Sequence, residues 1–381
     1  MNITKLIALF LALALSLSLA ACVPSEPESA PVAALGAALE HAVPDNRVVV
    51  DVLGREVEIP AIVETIIALG SGAPRIAAYL GVMDMLAGAE EYDTRDEVVV
   101  IRDYHPAYHE LLRALPIVGA GGGSGNNNGF PEEIIMVAPD VILAGFDLEA
   151  ADELQSQTGI PVVSVRHRTG LATEDFYLAM RVFADVVGAQ ERCEAILAFI
   201  DAAKHDLNAR TSGVPDSEKL RAYAGAVTWN GRRGFSGTYS VFGIFDAINA
   251  YNVAYAPGID GFYEADLESV LIWDPDVIFL DPGNMDLVND EFATNPSFFN
   301  SLRAVQEGRV YTMPAFNFAG TNITYALINT YYAGIVLFPE QFADVDIAEK
   351  AGEILALFLG VNTFDIMNEG GLFYGRIIIG E

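Results

Sequence analysis

Four arginines stand in two tight pairs in a chain otherwise short of positive charge: Arg166 and Arg168 in RHRTG, Arg232 and Arg233 in WNGRRGFSG. Lys and Arg number 21 against 52 Asp and Glu, a formal charge of −31. A guanidinium is a planar fork of donors that fits carboxylate, catecholate or oxyanion groups. The two pairs together point to an anionic ligand, although each Arg alone is as readily neutralised by a nearby carboxylate. Tyr92, Tyr104, Trp229, Tyr239 and Phe318 offer rings for a flat ligand, with core packing as the alternative use of each. Ser71, Asn317 and, in GAGGGSGNNNG, Asn126 and Asn127 add polar groups. That glycine loop lacks the Lys-Ser/Thr ending of a phosphate loop. His105 and His109 have the i, i+4 spacing of helix-borne metal ligands, but Pro106 intervenes and no third ligand is evident, so a surface role is expected. HExxH, GxSxG and zinc-type Cys pairs do not occur, which shifts the expectation from catalysis to binding, with no metal or cofactor.

These residues fall where strands should end. VVVDVLGREVEIP (48–60) has the form of a β-hairpin turning near Gly54, and ETIIALG (64–70) is a short buried strand. A helix then starts near Pro74, where proline is tolerated in the first turn. Further strands are expected at VMDMLAGA, GIPVVSV (159–165), LRAYAGAVTW (220–229) and GRVYTMP (308–314), with a helix over 239–251. Strands alternating with helices imply parallel sheets covered on both faces. EEIIMVAPDVILAG (132–145) and ESVLIWDPDVIFLD (268–281) repeat one phrase in register: acidic start, apolar helix, Pro-Asp stop, buried strand. Between the two halves Thr173 caps a helical pattern that resumes after Gly188 and runs towards Arg210, one long connecting rod if unbroken. The expected fold is α/β: two Rossmann-like lobes with parallel sheets, joined by one long linker helix, with a ligand cleft between them. The boundaries are 47–170 for the first lobe, 171–212 for the linker and 213–381 for the second.

Such a charge excludes nucleic acid as a partner and repels anionic lipid. A membrane link has another source. Lys5, the apolar run Leu6 to Leu19 and the ending Leu19-Ala20-Ala21-Cys22 make residues 1–22 an export signal with a lipobox, which marks Cys22 for lipidation. Residues 23–46 read as a spacer. Cys193 is then the sole remaining thiol and is expected to be a packed helix residue.

The lipobox, VVVDVLGREVEIP, IIALGSGAP, PEEIIMVAPDVILAG, TGIPVVSV, the linker pattern and LESVLIWDPDVIFLD together resemble the substrate-binding proteins of ABC importers for iron-siderophore, haem and cobalamin. GRVYTMPAFNF and YYAGIVLFPEQF resemble the iron-complex branch. The resemblance implies a non-enzymatic, monomeric, lipid-anchored extracytoplasmic receptor that hands a ferric chelate to a permease and its ATPase. Molybdate, tungstate or cobalamin are the alternatives within that fold, and a metal-cofactor enzyme on a two-lobed scaffold is the alternative outside it. The resemblance also implies that Glu132 and Glu268, each seven residues before its Pro, dock on the permease, with Glu133 able to stand in for Glu132.

Overall fold

The computed structural model describes residues 45–122 and 128–381. It opens with the hairpin: β1 (Asn46–Val50) pairs antiparallel with β2 (Glu56–Pro60). Gly54 turns the chain at φ 80°, a value that favours glycine. The first lobe then lays down β3 (Ile66–Leu69), β4 (Leu86–Glu90), β5 (Ile117–Gly119), β6 (Val141–Ala144) and β7 (Val162–Ser164). They form one parallel sheet in the order β5-β4-β3-β6-β7. The second lobe supplies β8 (Arg221–Gly225), the ribbon strand β9 (Gly237–Tyr239), β10 (Tyr251–Asn252), β11 (Phe262–Glu264), β12 (Val277–Leu280) and β13 (Val310–Thr312). Its parallel sheet runs β10-β8-β12-β13, and β9 pairs antiparallel with β11 beside it.

Alternation along each strand divides the interior. Ile66 and Ala68 of β3 face one large core while Ile67 and Leu69 face an outer cluster. In the second lobe Val277 and Phe279 of β12 join that same large core while Ile278 and Leu280 face another outer cluster. The two lobes therefore share one core, built from the inner faces of both sheets and the helices Ala73–Leu80, Gln190–Thr211, Ile323–Leu337 and Ile347–Leu359.

The connecting segment is not one rod. Thr173 caps the helix Glu174–Val187 by accepting from the Phe176 N–H, and Gly188 ends that helix at φ 74°. A second helix, Gln190–Thr211, folds back against it, so that Arg181 meets Glu194 at 2.7 Å and the Tyr177 hydroxyl donates to Asp201 at 2.6 Å. Left-handed glycine closes a helix because it carries no Cβ penalty. The linker is thus the second helix alone, 22 residues or about 33 Å long. Cys193 is buried in it among Ile196, Leu197 and Ile200. The helix expected over 239–251 is likewise replaced by β9, the short helix Gly243–Ala247 and β10. Tyr239 ends a strand because pairing with β11 satisfies its backbone.

Both repeats of the shared phrase fold alike. The helices Pro131–Val137 and Leu267–Trp273 end on Ala138 and Asp274, at φ 47° and 38°, immediately before proline. The Asp of each Pro-Asp pair then ties the neighbouring strand. Asp140 accepts from the Glu64 and Thr65 N–H groups at 2.8 Å each, and Asp276 from the Arg221 N–H at 2.8 Å. Among the described residues no helix is long and apolar enough to cross a membrane.

Candidate ligand site at the lobe seam

In each sheet the first strand is flanked by the next strand in the chain on one side and a later one on the other, which opens a crevice at the carboxyl ends. In the first lobe the crevice lies between β3 and β6. The turn Gly70-Ser71-Gly72 approaches Gly145 so closely that a Cβ there would stand 2.3 Å from the Ser71 carbonyl oxygen. Glycine is required at that point.

The loop after β4 carries the charged part of the site. Arg102 is buried and bonds Asp93 at 2.6 Å, the Tyr104 hydroxyl at 2.9 Å and Glu90 at 3.4 Å. Its Nε is buried without a hydrogen-bond partner among the described residues. The half-buried Tyr92 ring has two guanidiniums near its centroid, Arg95 at 4.0 Å and Arg102 at 4.5 Å, and touches Phe318 of the second lobe at 5.5 Å between centroids. Arg95 is exposed and makes no ion pair among the described residues. Burial pushes the Glu90 carboxyl up to about 7, with Arg102 and the Gly70 N–H opposing the shift and Asp93 adding to it.

Two histidines hold this loop. His105 Nδ1 accepts from the Val99 N–H at 3.0 Å, which leaves Nε2–H to donate to the Asp93 carbonyl at 3.1 Å. His109 Nε2 meets the Arg95 carbonyl at 2.9 Å. Both are buried, so the expected surface role is corrected. Their i, i+4 spacing serves to latch the backbone on either side of Arg95, and burial lowers the His105 pKa, favouring the neutral ring.

The second lobe answers with aromatic rings. Trp229 stacks on Phe262 and meets Tyr239 edge-on, and Arg233 lies 5.1 Å above Phe262. At the β8/β12 crevice the buried Asp281 accepts from the Thr228 hydroxyl at 2.6 Å, and burial pushes its carboxyl up to about 6. Beside it lies a cavity of about 20 Å³, lined by Thr228, Tyr239, Asp281 and Phe316 and with room for a water.

A buried clamp joins the lobes below the seam. Arg75 donates to Asp103 at 2.8 Å and, across the lobes, to Asn322 at 2.6 Å, the Phe318 carbonyl at 3.1 Å and the Ala319 carbonyl at 3.0 Å. Asp103 also receives the Tyr79 and Thr324 hydroxyls.

The sequence-derived residues separate accordingly. Trp229, Tyr239 and Asn317 come together on the second lobe, where Asn317 donates to the Tyr239 hydroxyl at 3.1 Å, and Tyr92 of the first lobe meets Phe318, the neighbour of Asn317 in the chain. Ser71 is half-buried in the β3 turn. Tyr104 lies in the core with its hydroxyl donating to Asp93 at 2.8 Å, a support for the loop. The four clustered arginines are all matched by carboxylates: Arg166 by Asp147 at 3.9 Å, Arg168 by Asp175 at 2.5 Å, Arg232 by Asp286 and Arg233 by Glu264 at 3.4 Å. Asn126, Asn127 and Cys22 lie outside the described residues. Glu132 and Glu268 are exposed. Sequence reasoning missed Arg95, Arg102 and Glu90. Their signal was position, since all three lie at or just beyond the carboxyl end of the strand whose loop bears Tyr92.

A shared core and two parallel sheets, each with a crevice at the carboxyl ends of its strands, give the two-lobed fold of solute-binding proteins. The family model described as periplasmic binding protein matches residues 66–315, and the chain belongs to that family. It is 24% identical over 352 residues to the molybdate-binding protein MolA of Haemophilus influenzae, covering 86% of this chain and 95% of that one. The molybdate-bound structure of MolA superposes at a TM-score of 0.62 with 22% identity, covering 83% of this chain and 98% of that one. A periplasmic solute-binding protein from Veillonella parvula reaches 0.65 with 17% identity, covering 86% and 97%. Helicobacter pylori CeuE with Ni(II) bound reaches 0.59 with 18% identity, covering 86% and 100%.

Proposed function

We propose that this protein is the non-enzymatic, monomeric receptor of an ABC importer, anchored outside the cytoplasm through lipid on Cys22, and that it captures an anionic metal chelate of the ferric-siderophore type at the lobe seam. The observation that carries the ligand class is the pair of ring-and-guanidinium faces, Tyr92 with the exposed Arg95 on one lobe and Phe262 with Arg233 beside Trp229 on the other. Flat, unsaturated, negatively charged groups suit both faces. The shared core and the Arg75 clamp make large hinge opening costly, so the seam acts largely preformed. A second reading, a molybdate or tungstate oxyanion, is favoured by the molybdate-binding relative.

Thermal unfolding of the full-length protein across ferric catecholates, ferric hydroxamates, haem, cobalamin, molybdate and tungstate separates these readings. A ligand at one hundred times its Kd stabilises by about 2.7 kcal/mol. The chelate reading expects a ferric complex to do so and Tyr92→Ala with Arg95→Ala to weaken it about tenfold or more. Stabilisation by molybdate or tungstate alone moves the assignment to the oxyanion, and silence across the panel removes both.

Glu132 and Glu268 supply the grip on the permease in this reading, supported by their exposure at matched positions of the two lobes. Reversing both to Arg is expected to abolish uptake and leave ligand affinity intact; retained uptake counts against the role.

A further inference from the structure

The two docking helices carry more than charge. We infer that the permease contact is made by two matched acidic and apolar knobs, Glu132 with Ile135 and Met136 on one lobe and Glu268 with Leu271 and Ile272 on the other. The partner surface they fit has two equivalent sockets, each pairing a basic residue with an apolar pocket. This rests on the receptor reading above and extends it to residues that reading does not use.

Residues three and four positions after each glutamate return to its face of the helix. At those positions the exposures match: Met136 83% and Ile272 81%, with Ile135 at 50% and Leu271 at 39%. Large apolar side chains scattered singly over a surface are ordinary, and Ile62 at 68% and Ile378 at 63% are examples. Their like is not repeated at a matched register. The knobs are, because Ile134 and Val270, the buried members of the two helices, anchor them identically on the outer faces of the two sheets. Neither helix contains Lys or Arg.

Charge selects the occupant. A second copy of this chain would set glutamate against glutamate, and an anionic lipid surface is repelled in the same way. A basic protein surface is attracted. On the second lobe a groove of about 300 Å³ lies against Glu268, lined by Leu271, Phe298, Asn295, Ser297 and Ser301. Its apolar and hydroxyl walls suit the aliphatic stem of an Arg or Lys whose head reaches the carboxylate. The duplication of the knobs requires a partner whose own contact is duplicated, as a two-fold symmetric or internally repeated membrane protein provides.

The test is photo-crosslinking of the full-length lipoprotein in cells, with benzoylphenylalanine placed at position 136, at 272 and, as controls, at 62 and 378. The inference expects adducts from 136 and 272 with permease polypeptide and none from the controls. Adducts with lipid alone, with a second copy of this chain, or from none of the four positions overturn it. Met136→Ser and Ile272→Ser, both on well-exposed side chains, are each expected to lower uptake at limiting receptor about tenfold, and together by more. Ligand affinity should stay within about twofold. If Glu132→Arg with Glu268→Arg stops uptake while the Ser variants leave it unchanged, the apolar knobs are dismissed and the receptor reading stands. If neither pair affects uptake, the docking reading itself falls.

Discussion

The backs of the two lobes are alike and their fronts are not. At the back, each copy of the repeated phrase makes a short helix, a left-handed residue before proline and an aspartate that ties the start of the first strand, Asp140 to Thr65 and Asp276 to Arg221. At the front, the first lobe presents buried ions, Arg75 with Asp103 and Arg102 with Asp93 and Glu90. The second presents stacked rings around a single buried carboxylate, Asp281. What holds a strand in its sheet is thus alike in the two lobes, while the carboxyl ends of their strands carry different side chains.

The comparison is tested hardest at the clamp. Arg75→Met leaves Asp103 buried without its ion partner and should cost about 3–5 kcal/mol, read by urea unfolding. Replacing Asp103 by Leu in the same chain should recover part of that loss, since the stranded charge is then gone; no recovery would mean that Asn322 and the loop carbonyls carry the clamp. The equivalence of the two backs comes next. Asp140→Ala removes two charge-assisted bonds from backbone amides and Asp276→Ala one together with its 2.6 Å ion pair to Arg303, and each should cost about 2–3 kcal/mol. A cost confined to one of them breaks the symmetry argued here.

The third comparison distinguishes the fronts by pH. Glu90 is raised from 4.5 to about 7 and Asp281 from 3.8 to about 6, in both cases by burial first. A carboxyl raised on folding keeps its proton where the unfolded chain has already released it, so stability falls as pH rises through the window. Glu90→Gln should flatten the decline between about 4.5 and 7, and Asp281→Asn that between about 3.8 and 6, in unfolding curves measured across pH. An unchanged slope in either variant would show that its carboxyl is ionised throughout.

Much of the architecture was legible in the residues. The hairpin at Gly54, the helix opening at Pro74, the Thr173 cap and the buried strands of both phrases follow from local pattern, and each is where that pattern puts it. Gly188 was legible too as a helix end, and the rod drawn through it gave too little weight to left-handed glycine. The site was far less legible. Arg166, Arg168 and Arg232 looked unmatched because a sequence does not show which carboxylate folds beside each, and Asp286 reaches Arg232 from 54 positions away. His105 and His109 looked superficial because the carbonyls they hold belong to a loop earlier in the chain.

What the sequence alone determined was the sort of molecule: two α/β halves written with one repeated phrase, in a strongly acidic chain. Hydrophobic period, capping and turn chemistry are local, acting within a few residues, so they survive translation from letters to elements. Only the tertiary structure decided which cations remain open to a ligand, which rings meet across the seam and what fastens one lobe to the other. Those contacts join residues as distant as Arg75 and Asn322, 247 positions apart, and their energies depend on burial that exists only once both lobes have closed on a common core.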